Sequence, residues 1–233
     1  MSIGISQSNY FPWIGFFDLI NRCDEFVLYD KEQFTKNDWR NRNILFFDGK
    51  ARWLTLPIAV KNGLHTKIDE VSIVDNFWAE KHFKKIENYY RKAPVFTHTI
   101  HDLRLILEST SKYSLLSDVN YETLNLLCRL LMIKTNLIRD YDYGNAIEKN
   151  AKLIEIIRSR NQGLYVSSMS AKSYLNMEKF AKQNIAIEYV SFQSSELFLT
   201  PRRAVTGQNL SIIDSLMYFG LSNVKTHLHQ TSE

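Results

Sequence analysis

A chain of 233 residues, 45% hydrophobic and 23% charged, has the composition of a globular protein and suffices for one large domain. Its 29 basic and 25 acidic residues leave a formal net charge of +4. The local basic residues near Lys81, Lys85 and Arg91 are interrupted by acids, which argues against a nucleic-acid partner but suits a small phosphate-bearing ligand.

The N-terminal region reads as strand, loop, helix, strand. Residues 3–6 are short and apolar, Pro12 to Gly15 interrupt, 16–22 are helical, and 26–29 form a β-branched and aromatic run. That order predicts a parallel βαβ unit, with its functional edge beyond the strand carboxyl ends, near 7–10 and 30–33. Further strands are expected at 53–60 and 70–74, with a loop containing Gly63 between them. Asp75 and Asn76 are acceptable caps for a helix running to about Lys92, and Pro94 prevents easy continuation. Helices follow at 101–109, 121–134 and 149–160, the last stopped by Gly163. A strand at 164–167, a helix around 171–183, a strand at 187–192 and a short helix at 211–218 complete the pattern. The expected fold is α/β, with a mixed or mostly parallel sheet. One domain is expected over 1–233, with a helical insertion or subdomain at 76–160.

No apolar run approaches the ~18 residues of a spanning helix. The opening MSIGISQSNYFPW lacks the charged and apolar regions of a signal peptide, so a cytoplasmic protein is expected. Cys23 and Cys128 lie far apart and form no CxxC or His/Cys cluster, so no metal site is expected. Cys23 reads better as a buried small hydrophobe than as a nucleophile, and Cys128 lies on the apolar stripe of the 121–134 helix. His98 and His101 share i,i+3 spacing but have no third ligand, and Ser167, Ser168 and Ser170 sit in no nucleophile elbow. Ser211 and Asp214 have the spacing of a reciprocal helix cap.

The densest polar cluster occupies the first fifth of the chain. Gln7, Asn9, Tyr10 and Trp13 follow the first strand; Asp30, Gln33, Lys36, Trp39, Arg40, Asn41, Arg42 and Asn43 follow the second. Lys and Arg can grip phosphate, amides can bind sugar hydroxyls, and Trp or Tyr can cover a flat ring. The alternative is a solvated loop whose Asn and Asp make turns. His82 lies one turn after Trp78 on the expected helix, facing either the interior or a cleft. There it is a candidate general base, or simply a hydrogen-bonded packing residue.

The segments SQSNYFPWIGFFDLI (6–20), EFVLYDKEQFTKNDWRNRN (25–43) and WLTLPI (53–58) together resemble the WbqC-like family. WAEKHFKKIENYYRKAPVF (78–96) and LSIIDSLMYFG (210–220) extend the likeness over most of the chain. At Lys31-Glu32 the chain departs from the family's usual acidic-hydrophobic pair, so no role is carried to an acid there. The resemblance implies a setting in O-antigen and related lipopolysaccharide assembly, with glycyl or other aminoacyl transfer onto an amino sugar suggested for some members. On that basis the expected substrate is a nucleotide-linked amino sugar. His82 or Asp30 would be the base, the cluster above would bind substrate, and no cofactor would be tightly bound. An activated donor is required chemically, because a free carboxylate is a poor acylating agent; coenzyme A or a carrier-protein thioester would serve. Two other readings stay open: a nucleotidyltransferase or adenylating enzyme, and a non-catalytic sugar-nucleotide-binding or scaffold protein.

Overall fold

The computed structural model describes residues 1–61, 63–139, 148–192, 207 and 209–230. Its centre is a five-stranded, wholly parallel sheet, so the fold is α/β. The sheet strands are β1 (Ser2–Ser6), β2 (Glu25–Leu28), β7 (Asn136–Arg139), β8 (Leu164–Ser168) and β9 (Ala186–Val190), in spatial order β7-β2-β1-β8-β9. The chain therefore runs outward from β1 through β2 to β7, then returns to the other side of β1 as β8. Open parallel sheets bind ligands where the strand order reverses in this way, outside the carboxyl ends. Here that crevice lies beyond β1 and β8.

Alternation along the strands sends side chains to two cores. Phe26, Leu28 and Val166 face α1 (Ile14–Asn21) and the large helical layer. Ile3, Ile5, Val27, Tyr29 and Tyr165 face α5 (Lys149–Ser159) and α6 (Met177–Ala181). The helical layer contains α2 (Trp78–Tyr90), α3 (Phe96–Thr110), α4 (Leu116–Leu130) and α7 (Ile212–Gln230). In α2, Trp78, His82, Phe83, Ile86 and Tyr90 are buried, an i, i+4, i+8 pattern that turns one stripe inward.

The structure differs from the sequence expectations in several places. Segment 76–160 holds three consecutive helices, but also β7 and α5, which belong to the sheet and its covering layer. The run at 53–60 is divided: β4 (Lys50–Thr55) pairs antiparallel with β3 (Arg42–Phe47), and Pro57 precedes the separate two-residue β5 (Ile58–Ala59), which pairs with β6 (Ser72–Ile73). Asp48 and Gly49 close the β3–β4 hairpin with φ values of 51° and 69°, the left-handed pair of a two-residue turn. The expected helix at 171–183 is a 3-10 turn (Met169–Ser173) followed by α6, which Asn176 restarts by capping Lys179 N–H. Helix α7 runs well beyond 218, but breaks at Gly220, where φ is 77° and a Cβ would lie 3.2 Å from Val95. No helix among the described residues is long and apolar enough to cross a membrane.

Candidate functional site

The loop from β1 to α1 carries the candidate site, and residues from several other elements hold it. Ser8, Tyr10, Phe11 and Pro12 are buried although they belong to a loop. Phe11 has φ 41°, an uncommon and strained backbone for an aromatic residue. Its carbonyl accepts from Asn43 Nδ2 at 2.9 Å and from Ser211 Oγ at 2.8 Å. Asn43 Nδ2 also reaches the Tyr10 carbonyl at 3.1 Å, and Tyr10 N–H donates to the Trp39 carbonyl at 3.0 Å. Ile212 N–H closes on the Pro12 carbonyl at 2.9 Å. A strained residue persists where surrounding contacts overdetermine it, and strands, helices and loops from across the chain do so here.

Beneath the loop lies a buried polar network. Asp30 Oδ1 accepts the Ser8 N–H at 2.8 Å. Burial raises the Asp30 pKa, while the Ser8 bonds and the Arg40 and Arg139 charges oppose that rise. Asn120 of α4, fully buried, donates to Ser8 Oγ at 3.0 Å and to the Arg40 carbonyl at 2.9 Å. It thereby ties the segment after β2 to the loop after β1. Arg40 lies across the loop: Nη1 donates to the Ser8 carbonyl at 3.3 Å and to Asn9 Oδ1, and Nη2 meets Asp38 at 3.4 Å. Its side chain is only 13% exposed, and burial lowers its pKa. A cation withdrawn from water to this degree gains from an anion beside it.

Two cavities of about 380 Å³ flank this arginine at the sheet's carboxyl edge. On the α1 face, Arg40, Asn9 and Trp13 meet Ser168, Ser170 and Phe192. The Trp13 and Phe192 rings are edge-to-face at 5.1 Å. Gly15 gives Trp13 its place, because a Cβ there would lie 2.2 Å from the indole. On the α5 face, Arg40 and Gln7 meet Lys149, Lys152, Glu32 and Tyr174. A third cavity of about 300 Å³ adjoins the first through Asn9 and Trp13 and is walled by Trp39, Asn43 and Asn209.

The expected site residues therefore fall into three groups. Gln7, Asn9, Trp13, Trp39, Arg40 and Asn43 line these cavities. Tyr10, Asp30, Asn41 and His82 are buried supports: Tyr10 is fully buried, and Asn41 Nδ2 holds the Leu56 carbonyl at 3.0 Å. Gln33 and Lys36 are exposed, and Gln33 forms a bridge with Lys67. Arg42 bonds the Asn37 carbonyl at 2.5 Å and lies 4.1 Å over the Trp53 ring. None of Gln33, Lys36 and Arg42 lines the three cavities.

His82 does reach the N-terminal loop, through Tyr10, whose hydroxyl lies 2.8 Å from Nδ1; its Nε2 lies 3.1 Å from the Thr55 carbonyl. A carbonyl can only accept, so Nε2 carries the proton and Nδ1 takes the Tyr10 hydroxyl. Burial pulls the His82 pKa down to about 4. Both ring nitrogens are engaged, and the residue lines none of the three cavities. Burial likewise pushes the Cys23 and Cys128 thiols up to about 12, which makes both poor nucleophiles. Asp214 accepts from the Tyr90 hydroxyl at 3.1 Å, and Ser211 Oγ accepts the Ile213 N–H at 3.3 Å. Among the described residues, no three His, Cys, Asp or Glu side chains group as metal ligands.

Lys149, Lys152, Asn120 and Ser8 are cavity or network residues that the sequence did not single out. The two lysines had one visible signal, their i,i+3 spacing on one helix face.

The sequence matches the WbqC-like protein family over residues 7–226, which includes the loop, the arginine and the helices that hold them. This chain belongs to that family. A similar protein is the uncharacterized protein Rv1507c of Mycobacterium tuberculosis, 36% identical over 190 residues covering 82% of each chain. No solved structure matches. In this WbqC-like protein the loop SQSNYFPWIG is thus the buried hub of the fold as well as a wall of all three cavities.

Proposed function

We propose that this WbqC-like protein is a group-transfer enzyme that takes a nucleotide-linked amino sugar in the crevice beyond β1 and β8. It transfers an aminoacyl group, such as glycyl, or an acyl group to the sugar amine, in the cytoplasmic assembly of a surface polysaccharide. The observation that carries this reading is Arg40, a largely buried guanidinium held at the point where the strand order reverses. A diphosphate is the group that such a fork binds best. Trp13 offers a face for a ring on one side of it, and the Asn9, Asn43 and Asn209 amides of the adjoining cavity suit sugar hydroxyls.

The reaction forms an amide C–N bond and breaks the donor's acyl–sulfur bond, if the donor is a coenzyme A or carrier-protein thioester. The proton lost by the amine leaves with the thiolate as a free thiol. His82 and Asp30 act here as positioning residues, through Tyr10 and Ser8 respectively. Neither needs to meet the substrate to shape the loop that does.

The test is to incubate the purified protein with nucleotide-linked amino sugars and glycyl or acyl thioesters, and to follow product mass. An amide adduct that disappears in a folded Arg40→Met variant is the expected result. Tight sugar-nucleotide binding with no adduct from any donor would instead identify a binding module. A second reading, adenylation or nucleotidyl transfer, is favoured by the strand order, which is that of many dinucleotide-binding sheets. Release of pyrophosphate from a nucleoside triphosphate would establish it in place of thioester aminolysis.

A further inference from the structure

The α1-face and α5-face cavities share Ser6 and Arg40, yet their other walls differ in chemistry. The α1-face wall is mostly apolar and hydroxylic, with one carboxylate, Asp18, which pairs with Arg22 at 3.1 Å, and no cation besides Arg40. The α5-face wall presents three cations, Arg40, Lys149 and Lys152, against one lining carboxylate, Glu32, with Asp38 pairing Arg40 at 3.4 Å from outside the cavity. Glu32 is already engaged, by Lys152 at 2.7 Å and by the Tyr29 hydroxyl at 2.6 Å. Lys149 is held with its ammonium 3.4 Å over the Tyr174 ring, and burial lowers its pKa. Helix stability does not account for this pair. Lys149 and Lys152 occupy the first turn of α5, where the helix dipole disfavours positive charge. At i,i+3 they present both cations to the same cavity.

We infer that the α5-face cavity is a second anion subsite, which takes the diphosphate-bearing arm of the activated donor while the sugar nucleotide occupies the α1 face. The inference rests on the two-substrate reading above. It adds that both substrates are phosphorylated, that they approach from opposite faces of the sheet, and that they meet at Arg40. Lys149 and Lys152 bind the donor; Trp13 and Asn9 bind the acceptor. A cavity of about 380 Å³ accommodates a diphosphate with part of its organic arm.

The experiment uses inorganic pyrophosphate as the probe, titrated calorimetrically at constant ionic strength into protein saturated with the tightest-binding of UDP, GDP and ADP. The expected result is that the wild type still binds pyrophosphate under saturation. Lys149→Ala and Lys152→Met should each weaken it at least about tenfold while leaving nucleotide affinity within about twofold. Trp13→Ala should show the opposite selectivity. Complete displacement of pyrophosphate by nucleotide would overturn the inference in favour of one continuous anion site. Pyrophosphate affinity unchanged in both lysine variants would overturn it as well. Failure of every nucleotide to bind would instead remove the function proposed above; lysine-dependent pyrophosphate binding to the free protein would then still support the α5-face anion subsite, and its absence would overturn that subsite too.

Discussion

Asn43→Ala offers the most direct test of the clamp on the β1–α1 loop. The side chain is buried, and its amide donates to the Tyr10 and Phe11 carbonyls at 3.1 and 2.9 Å. Its own oxygen accepts the Ile44 N–H at 2.8 Å. A buried hydrogen bond contributes about 1 kcal/mol net, and a buried polar group left without a partner costs about 1–3 kcal/mol. Phe11 keeps the Ser211 bond, so the added penalty falls on the Tyr10 carbonyl and on the buried Ile44 N–H. The loss should be about 3 kcal/mol in all. For a domain of this size that is a fall of about 6–12 °C in melting temperature, measured by differential scanning calorimetry. Asn43→Asp keeps the shape but sets a carboxylate against two carbonyls, so it should be worse than Ala at neutral pH and recover part of the deficit in acid. The same variants should lose nucleotide affinity, because Phe11 is freed to leave its positive φ. A melting temperature within about 2 °C of wild type for Asn43→Ala would refute the claim that the loop is clamped.

Arg40→Lys keeps the charge but cannot span the Ser8 carbonyl, Asn9 and Asp38 together, so nucleotide affinity should drop at least about tenfold by calorimetry; parity with wild type would exclude Arg40 as the anion anchor. Gly15→Ala gains up to about 1 kcal/mol of helix propensity but overpacks the Trp13 ring at a cost of about 1–3 kcal/mol, so it should be neutral to destabilising by about 2 kcal/mol. It should also shift tryptophan fluorescence and weaken nucleotide binding, because the new Cβ would lie 2.2 Å from the Trp13 ring. His82 titrates near 4 when folded and near 6.5 when unfolded, so the unfolded chain takes up the proton first as the pH falls. Its stabilisation is therefore complete above about pH 6.5 and is lost on the way down to about 4, amounting to about 2 kcal/mol at pH 5. Unfolding free energies from urea titrations at pH 7.5 and 5 should differ by that much more in wild type than in His82→Gln. The subtraction cancels contributions shared by both proteins, such as that of Asp30, whose raised pKa acts in the opposite sense.

The parallel sheet was readable because β1, β2 and β8 are short apolar runs bounded by turn or helix signals, and because a helix separates the first two. β7 was not. Asn136–Arg139 has only two apolar residues, and it is a strand because Glu25–Leu28 lies alongside it. The β3–β4 hairpin had a local signal, Asp48-Gly49, but the apolar run beginning at Trp53 drew the expected strand too far toward its C-terminal side. For the candidate site, polar density pointed to the loops that border the cavities without distinguishing walls from supports. Asn41 and Asn43 look alike in sequence, yet only Asn43 borders a cavity, and Arg40 and Arg42 differ in the same way. Two residues along a strand or loop can have unlike surroundings, and those surroundings are set by α4 and α7, far away in the chain.

The hydrogen-bond partners of the Gln7–Trp13 loop from elsewhere in the chain sit at positions 30, 39, 40, 43, 82, 120, 211 and 212. A chain emerging from the ribosome makes β1 and this loop first, and completes their restraints only when α7 has been synthesised. Nascent chains stalled before residue 211 should therefore have the sheet strands available while Phe11 lacks its Ser211 anchor, so ligand recognition would be among the last properties the polypeptide acquires. The same wiring makes the C-terminal helix a natural place to attach a reporter of assembly.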